Sequence, residues 1–180
     1  FRSILCQDEE RFYLVDQHAA HERIIYENLL NKRIKNEIEQ QPLLVPLIIE
    51  LTPKEREHIK ISIEMLDSFG FDIDMFGNNS IAVRKVPVIM GEPCSGSVLS
   101  NLLDTMDDFK DNLNVLEEKT LLKIACKSAI KSNDSLSIAE MAELISELFK
   151  TKLYYTCPHG RPTIISLDKY DLEKKFKRIL

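Results

Sequence analysis

Hydrophobic residues form short runs near both ends of the chain and recur at helical spacing between them. The runs RSILCQ (2–7) and RFYLVD (11–16), joined by the turn DEE, have the β-branched and aromatic content of strands. TIISL (163–167) is a similar run near the other end. The segment FDIDMFGNNSIAVRKVPV (71–88) predicts a hairpin that turns at Gly77.

Prolines and capping residues mark where other elements begin. QQPLLVPLIIEL is bracketed by prolines, which predicts a loop followed by a strand. Thr52 with Glu55, and Ser137 with Glu140, have the spacing of capping boxes that open helices. The predicted helices lie near 17–33, 53–69, 95–109, 115–131, 138–149 and 169–180.

Strands near both ends can pair in one sheet, which predicts an α+β fold and a two-lobed subunit. We expect residues 1–41 and 131–180 to form one subdomain, with residues 42–130 inserted as another. The 180 residues, 44% hydrophobic and 29% charged, have the composition of a globular protein rather than a disordered one. The sequence begins at Phe1, almost inside a strand, and we expect it to be part of a longer protein.

The charge and the cysteines restrict the class of protein. A formal net charge of −5 argues against a general nucleic-acid coat, so any DNA contact must come from a local basic surface or another part of the full protein. No apolar run approaches the length of a membrane span. The four cysteines are expected to be thiols or metal ligands, since no secretory signal opens the sequence.

The segment VDQHAAHERIIYE places ionisable residues in the first turns of a predicted helix. On a helical wheel, His18 and Glu22 fall in the same arc as the apolar residues. Buried ionisable groups are costly unless they are paired or bound to a metal. Two interpretations fit: half of a metal site that includes Asp16, or a partly solvated pair of His18 and Glu22. His21 is expected at the surface, and Glu27 lies opposite His18 and is not expected to be a ligand.

The segment CPHGRP offers further metal ligands near the other end of the chain. In an extended backbone Cys157 and His159 project to the same side. Pro158 stiffens the chain, and Gly160 permits a turn directly afterwards. The alternative is a turn with an incidental thiol, although three of the four histidines lie in these two segments.

A third segment, KIACKSAIK, combines a cysteine with a row of lysines. Cys126 lies in an amphipathic helical pattern, where a free cysteine is usually part of the core. Lys119, Lys123, Lys127 and Lys131 recur every four residues and form a basic stripe suited to a phosphate backbone. The alternative for this stripe is an ordinary solvated helix face.

Together these segments resemble a known family. DQHAAHERIIYE fits the motif DQHA-x2-E-x4-E at every fixed position, ACK resembles a second motif, and CPHGRP matches a third at all six positions. The chain thereby resembles the C-terminal endonuclease domain of MutL mismatch-repair proteins, in their nicking-competent branch. The resemblance implies a homodimer whose dimerisation subdomain is built from both chain ends, with a regulatory subdomain inserted between them.

The resemblance also implies a site that nicks double-stranded DNA. Asp16, His18 and Glu22 would be its catalytic residues. Thiolate favours Zn²⁺, for a structural or regulatory role, and the carboxylates and imidazoles admit a catalytic Mn²⁺ or Mg²⁺. Lys123, Lys127, Lys131 and Arg161 would bind the DNA phosphates. The implied metal ligands are Asp16, His18, Glu22, Cys126, Cys157 and His159.

The segment QPLLVP resembles the sliding-clamp-binding motif found in this region of the family. A glutamine followed by extended apolar residues suits a shallow hydrophobic groove, and the alternative is a loop that feeds a buried strand. The resemblance further implies recruitment by MutS through the full-length protein, a missing N-terminal ATPase portion of the GHKL type, and a cytoplasmic, nucleoid-associated location. The expected clamp contacts are Gln41, Leu43, Leu44, Val45 and Pro46.

Three rival functions use the same residues. A zinc-stabilised dimerisation module without catalysis needs the same ligands, but six candidates exceed what a closed structural zinc requires. A hydrolase with Cys157 as nucleophile and His159 as base is disfavoured, because residues two apart in extended chain rarely place a base against its nucleophile. A zinc peptidase is excluded by the order H-A-A-H-E.

Overall fold

Six helices and seven strands run through the residues that the computed structural model describes, which are 3–106, 113–129 and 136–179. They form two separate sheets accompanied by helices, and the predicted α+β class is confirmed. The strands are β1 (Ser3–Gln7), β2 (Arg11–Asp16), β3 (Gln40–Glu50), β4 (Asp72–Phe76), β5 (Ser80–Ile89), β6 (Glu92–Pro93) and β7 (Ile164–Asp168). The helices are α1 (Gln17–Ile34), α2 (Pro53–Ser68), α3 (Gly96–Met106), α4 (Leu113–Ser128), α5 (Ile138–Lys150) and α6 (Lys169–Lys175).

The chain divides into two units, one of residues 1–27 with 129–180 and the other of residues 28–128. The first boundary lies within α1, a single helix. The dimerisation and regulatory roles expected for two lobes stay predictions. In the part of the chain that the structure describes, no helix is both long and apolar enough to span a lipid bilayer.

The first unit is built on an antiparallel sheet in which β2 lies between β1 and β7. Successive side chains along each strand point to opposite faces of the sheet. Ile4 and Val15 point into the core, whereas Leu5 and Leu14 point outward. Strands from both chain ends therefore pair in one sheet, as the sequence predicted. The core of this unit consists of Ile4, Val15, Ala20, Ile24, Leu144 and Leu148.

The second unit contains the other sheet, in which β5 lies between β3 and β4 and also pairs with β6. The predicted hairpin is confirmed as β4 and β5, with Gly77 at a φ of 64°. The capping box of Thr52 and Glu55 opens α2 as predicted. The buried residues of this unit include Ile59, Leu66, Phe69, Phe71, Ile81, Val83, Leu99, Leu102 and Ile124.

The segment QPLLVP, which resembles a clamp-binding motif, differs from the predicted loop followed by a strand. It belongs to one edge strand, β3, whose pairing with β5 shifts between Pro42 and Leu47. Residues 43–46 stand opposite the single residue Arg84 at this shift. Proline cannot donate to the sheet ladder, which fits the position of Pro46 within this irregularity and of Pro42 at its border.

The terminal helix is shorter than the sequence predicted. It opens on a capping box of Asp168 and Asp171 but ends at Lys175, and Lys177 adopts a φ of 55° that no helix accommodates. Phe176 is 70% exposed, and α6 has no buried residue. Phe176 therefore does not pack into the core of the single chain. All four cysteines are free thiols, as expected.

Candidate metal centre

A cluster of possible metal ligands forms in the first unit, where the start of α1 meets the segment after α5. The ligand atoms of Glu22, Cys157 and His159 all lie within 4.8 Å of one another. His159 Nδ1 lies 3.4 Å from Glu22 Oε2, and His18 Nε2 lies 3.3 Å from Glu22 Oε1. Three other residues proposed as ligands from the sequence, His18, Cys157 and His159, thus lie near the Glu22 carboxylate.

The donor set and its spacing fit zinc. Carboxylate, thiolate and imidazole are all zinc ligands, and a thiolate selects against Mg²⁺. Around a tetrahedral ion with bonds of about 2.0 Å, neighbouring nitrogen and oxygen donors lie about 3.3 Å apart. Each imidazole nitrogen lies at about this distance from a different oxygen of Glu22, 3.3 Å for His18 and 3.4 Å for His159. A cation here would also neutralise Glu22, which is only 5% exposed.

A tight turn presents Cys157 and His159 to this cluster. The backbone N–H of Cys157 donates to the carbonyl of Arg161 at 2.7 Å, and Gly160 N–H donates to the carbonyl of Cys157 at 2.9 Å. Gly160 has a φ of 82°, which a residue with a side chain rarely adopts. The two ligands are thus placed by a turn rather than by the extended strand that the sequence spacing suggested.

Asp16 has a different position from the other proposed ligands. Its Oδ1 accepts hydrogen bonds from the backbone N–H groups of His18 and Ala19, both at 3.0 Å, so it caps α1 as predicted. The structure does not place it in the cluster of Glu22, Cys157 and His159. Its role as a metal ligand stays a prediction, for which Oδ2, not used by the cap, would serve.

Cys126 lies on α4 in the second unit and is half-buried. Its helix matches the amphipathic pattern predicted from the sequence, with Ile124 and Ala125 fully in the core. The proposed contribution of Cys126 to the metal centre stays a prediction.

Two other charged residues of α1 are informative. Glu27 was not expected to be a ligand, and its carboxylate accepts hydrogen bonds from the backbone N–H groups of Lys152 and Leu153. His21 was expected at the surface but is half-buried, and desolvation, with a contribution from neighbouring His18, lowers its pKa to about 4. The prediction that His21 lies at the surface was wrong. A helical wheel compares residues of α1 only with each other and does not account for other segments that pack against the helix.

Arg23 is the residue of this site that the sequence reasoning missed. It is only 5% exposed, and its guanidinium donates to the backbone carbonyl of Thr156 from Nε at 2.6 Å. The available signal was its spacing: Arg23 and Glu27 are four residues apart in a helix, which favours an ion pair.

The proposed DNA-binding cations have different environments. Lys123 is half-buried, and its Nζ donates to the backbone carbonyl of Asn101 at 3.1 Å. Lys127 and Arg161 are exposed, in the second and first unit respectively. Lys131 lies outside the described residues. Exposure therefore favours Lys127 and Arg161 as candidates for phosphate contacts over Lys123.

The proposed clamp-binding residues are displayed at the irregularity of β3. Leu44 is fully exposed and Val45 is 78% exposed, whereas Leu43 is half-buried. Gln41 is exposed, and its side-chain amide donates to the carbonyl of Pro42 at 3.0 Å. The alternative of a loop that feeds a buried strand does not describe these exposed side chains.

Comparison with known proteins identifies the family. Residues 2–136 match the model of the MutL C terminal dimerisation domain. The DNA mismatch repair protein MutL of Thermoanaerobacter pseudethanolicus is 41% identical over 179 residues, and that of Clostridium tetani is 38% identical over 177 residues. Both alignments cover 98% of this chain but only 29% and 28% of the respective relatives. The chain belongs to the family of MutL C-terminal dimerisation domains.

Proposed function

We propose that this chain is the metal-dependent, DNA-nicking endonuclease domain of a MutL mismatch-repair protein, and that it also forms a homodimer and binds the sliding clamp. The observation that carries the proposal is the convergence of Glu22, Cys157 and His159, with His18 beside Glu22. Double-stranded DNA is the proposed substrate, and MutS is a proposed partner through the full-length protein.

Each residue of the site has a proposed task. His18, Glu22, Cys157 and His159 would hold Zn²⁺, and Asp16 would provide a carboxylate for a more labile Mn²⁺ or Mg²⁺. When bound, such ions supply a Lewis acid and a water of lowered pKa for phosphodiester hydrolysis. Each oxygen of Glu22 lies beside one of these imidazoles, Oε1 beside His18 and Oε2 beside His159.

An arginine of the turn would bind the DNA. The exposed Arg161 follows His159 by two residues, and its guanidinium fork suits a phosphate. Because the carbonyl of Arg161 accepts from Cys157 N–H, the backbone of this arginine is tied to that of a proposed ligand. We propose that Arg161 positions the scissile phosphate at the metal centre and that the exposed Lys127, in the second unit, also contributes to DNA binding.

The exposure of the cluster supports catalysis over the main alternative, a zinc-stabilised dimerisation module. The burial of Glu22 and Cys157, 5% and 1% exposed, suits either function. However, the side chains of His18 and His159 are 35% and 43% exposed. A catalytic zinc keeps one position open, whereas a structural zinc is closed by protein ligands. Because four protein ligands would close the zinc, its role would be structural or regulatory, and the partly exposed imidazoles favour access for the second, catalytic ion that Asp16 would hold.

The outer face of the first sheet supports the homodimer. Leu5, Leu14 and Ile165 are aligned across β1, β2 and β7 and are 69%, 42% and 53% exposed. A continuous apolar row of this kind is typical of a surface covered by another protein. Since the family is one of dimerisation domains, we propose a second copy of this chain as its occupant.

A plasmid assay tests the endonuclease. Supercoiled DNA incubated with the protein and Mn²⁺ should be converted to open circles, and EDTA should prevent the conversion. Asp16→Asn should lower the rate by at least about 100-fold, since the amide keeps the helix cap but loses the metal-binding charge. Undiminished nicking by Asp16→Asn would contradict the role of Asp16. Inactivity of the wild type with retained zinc would favour the alternative module.

A second measurement tests clamp binding. Replacing Leu44 with Asp should weaken binding to a purified sliding clamp by at least about tenfold, because a charge cannot enter an apolar groove without loss of solvation. Leu44 is fully exposed, so the substitution should leave the melting temperature unchanged. Ile61→Asp on α2, also an exposed apolar position, serves as the control. Equal binding by wild type and Leu44→Asp would exclude this surface.

A further inference from the structure

The segment that leads into Cys157 is tied to α1 by one carboxylate. Glu27 Oε2 accepts from Lys152 N–H at 2.7 Å, and Oε1 accepts from Leu153 N–H at 3.1 Å. These amides directly follow Thr151, the C-cap of α5. Both oxygens of Glu27 therefore fix the backbone where the chain leaves α5 and turns toward the proposed ligands.

A buried arginine holds the same segment closer to Cys157. Arg23 Nε donates to the carbonyl of Thr156, the residue immediately before Cys157, at 2.6 Å. Nη1 of the same guanidinium lies 3.6 Å from Glu27 Oε1. The side chains of Arg23 and Glu27 are only 6% and 12% exposed. A buried cation is costly unless it is paired and hydrogen-bonded. Arg23 is thus restricted to a geometry that satisfies both Glu27 and Thr156.

The other end of the turn is anchored to the start of α1. Thr163 is only 1% exposed. Its backbone N–H donates to the carbonyl of Tyr155 at 3.1 Å, and its own carbonyl accepts from the backbone N–H of Asp16 at 2.9 Å. The turn that carries Cys157 and His159 is consequently attached on both sides to the stretch of chain that carries His18 and Glu22. The position of one pair of ligands relative to the other is set by these attachments.

We infer that Glu27 and Arg23 are positioning residues for the metal centre. They hold the backbone before Cys157 so that its thiol and the His159 imidazole meet Glu22, which directly precedes Arg23 on α1. Neither side chain needs to touch the ion. This inference rests on the proposed metal-binding function of the cluster. Its physical basis is that an unanchored turn would have to be ordered upon binding, which lowers affinity.

Titration of the metal-free protein with Co²⁺ tests the inference, because a cobalt–thiolate bond gives its own charge-transfer absorption. Glu27→Gln retains the shape of the side chain but removes its charge, and one acceptor oxygen is replaced by a donor amide. We expect cobalt affinity to fall about 10- to 100-fold, with a weaker thiolate band at equal cobalt occupancy. Glu143→Gln, the same change at an exposed position of α5, should behave as the wild type.

The outcomes separate this inference from the function on which it rests. A wild type that takes up no cobalt would overturn the proposed metal site itself. A wild type that binds cobalt, beside a Glu27→Gln variant with the same affinity and thiolate band, would overturn the positioning role alone. The positioning role would likewise be overturned if Glu27→Gln lowered only the melting temperature of the metal-free protein.

Arg23→Lys provides a second variant if Glu27→Gln fails to fold. Lysine keeps the positive charge near Glu27 but lacks the Nε–H that Arg23 directs at Thr156. Weakened cobalt binding with a reduced thiolate band is expected. Unaltered affinity and absorption in Arg23→Lys would overturn the inference.

Discussion

Glu22→Gln should remove most of the zinc affinity and abolish nicking. Glu22 lies between His18 and His159, with separations of 3.3 and 3.4 Å, and it belongs to the cluster with Cys157. A neutral amide is a poor ligand, and its NH₂ group would point a donor toward the ion or toward one imidazole. Substituting a residue that only hydrogen-bonds to a metal ligand lowers metal affinity about 10- to 100-fold. Loss of a ligand itself should therefore lower zinc affinity by at least about 100-fold.

Competition with a chelator of known affinity measures the effect on zinc, and the plasmid assay measures its effect on activity. Glu143→Gln is again the matched control, since it makes the same chemical change at an exposed position. The metal-free Glu22→Gln protein should be at least as stable as the metal-free wild type, because burying an amide is less costly than burying a carboxylate. Retention of zinc at full occupancy together with full nicking would show that Glu22 is not a ligand.

The elements that the sequence predicted correctly are those with local causes. The capping boxes at Thr52 and Ser137 depend on residues three positions apart, and both are present as expected. The hairpin at Gly77 likewise depends on a short turn signal. The predicted end of α6 was wrong because Phe176, which continues the helical spacing of apolar residues beyond Lys175, is 70% exposed, so its packing does not stabilise another turn.

The sequence predicted which residues are candidate ligands but not which contacts position them. His18 and Glu22 are separated by one helical turn, so periodicity alone brings them together. Motif resemblance then suggested Cys157 and His159, whose meeting with Glu22 requires a long-range fold. The contact between Arg23 and the carbonyl of Thr156 spans 133 positions and involves a backbone atom, for which no side-chain pattern exists. The sequence therefore carries the identities of the ligands, whereas their positioning depends on tertiary structure.

Leu14→Glu should convert the proposed homodimer to a monomer without loss of zinc. Leu14 is the middle residue of the apolar row, since β2 lies between β1 and β7 and Leu14 pairs with both Leu5 and Ile165. An unpaired carboxylate in the centre of an interface costs about 3 kcal/mol or more. That corresponds to at least about a 100-fold higher dissociation constant. The chain itself should tolerate the change because Leu14 is already 42% exposed.

Sedimentation at micromolar concentrations would report the change in mass. Ile138→Glu is the control, because Ile138 is 86% exposed at the start of α5 and lies outside the apolar row. A Leu14→Glu protein that remains dimeric would exclude this sheet face as the interface. Zinc content is the second readout: His18, Glu22, Cys157 and His159 all come from one chain, so the monomer should still bind the metal. Nicking by that monomer would then show whether the second copy contributes to catalysis or only to assembly.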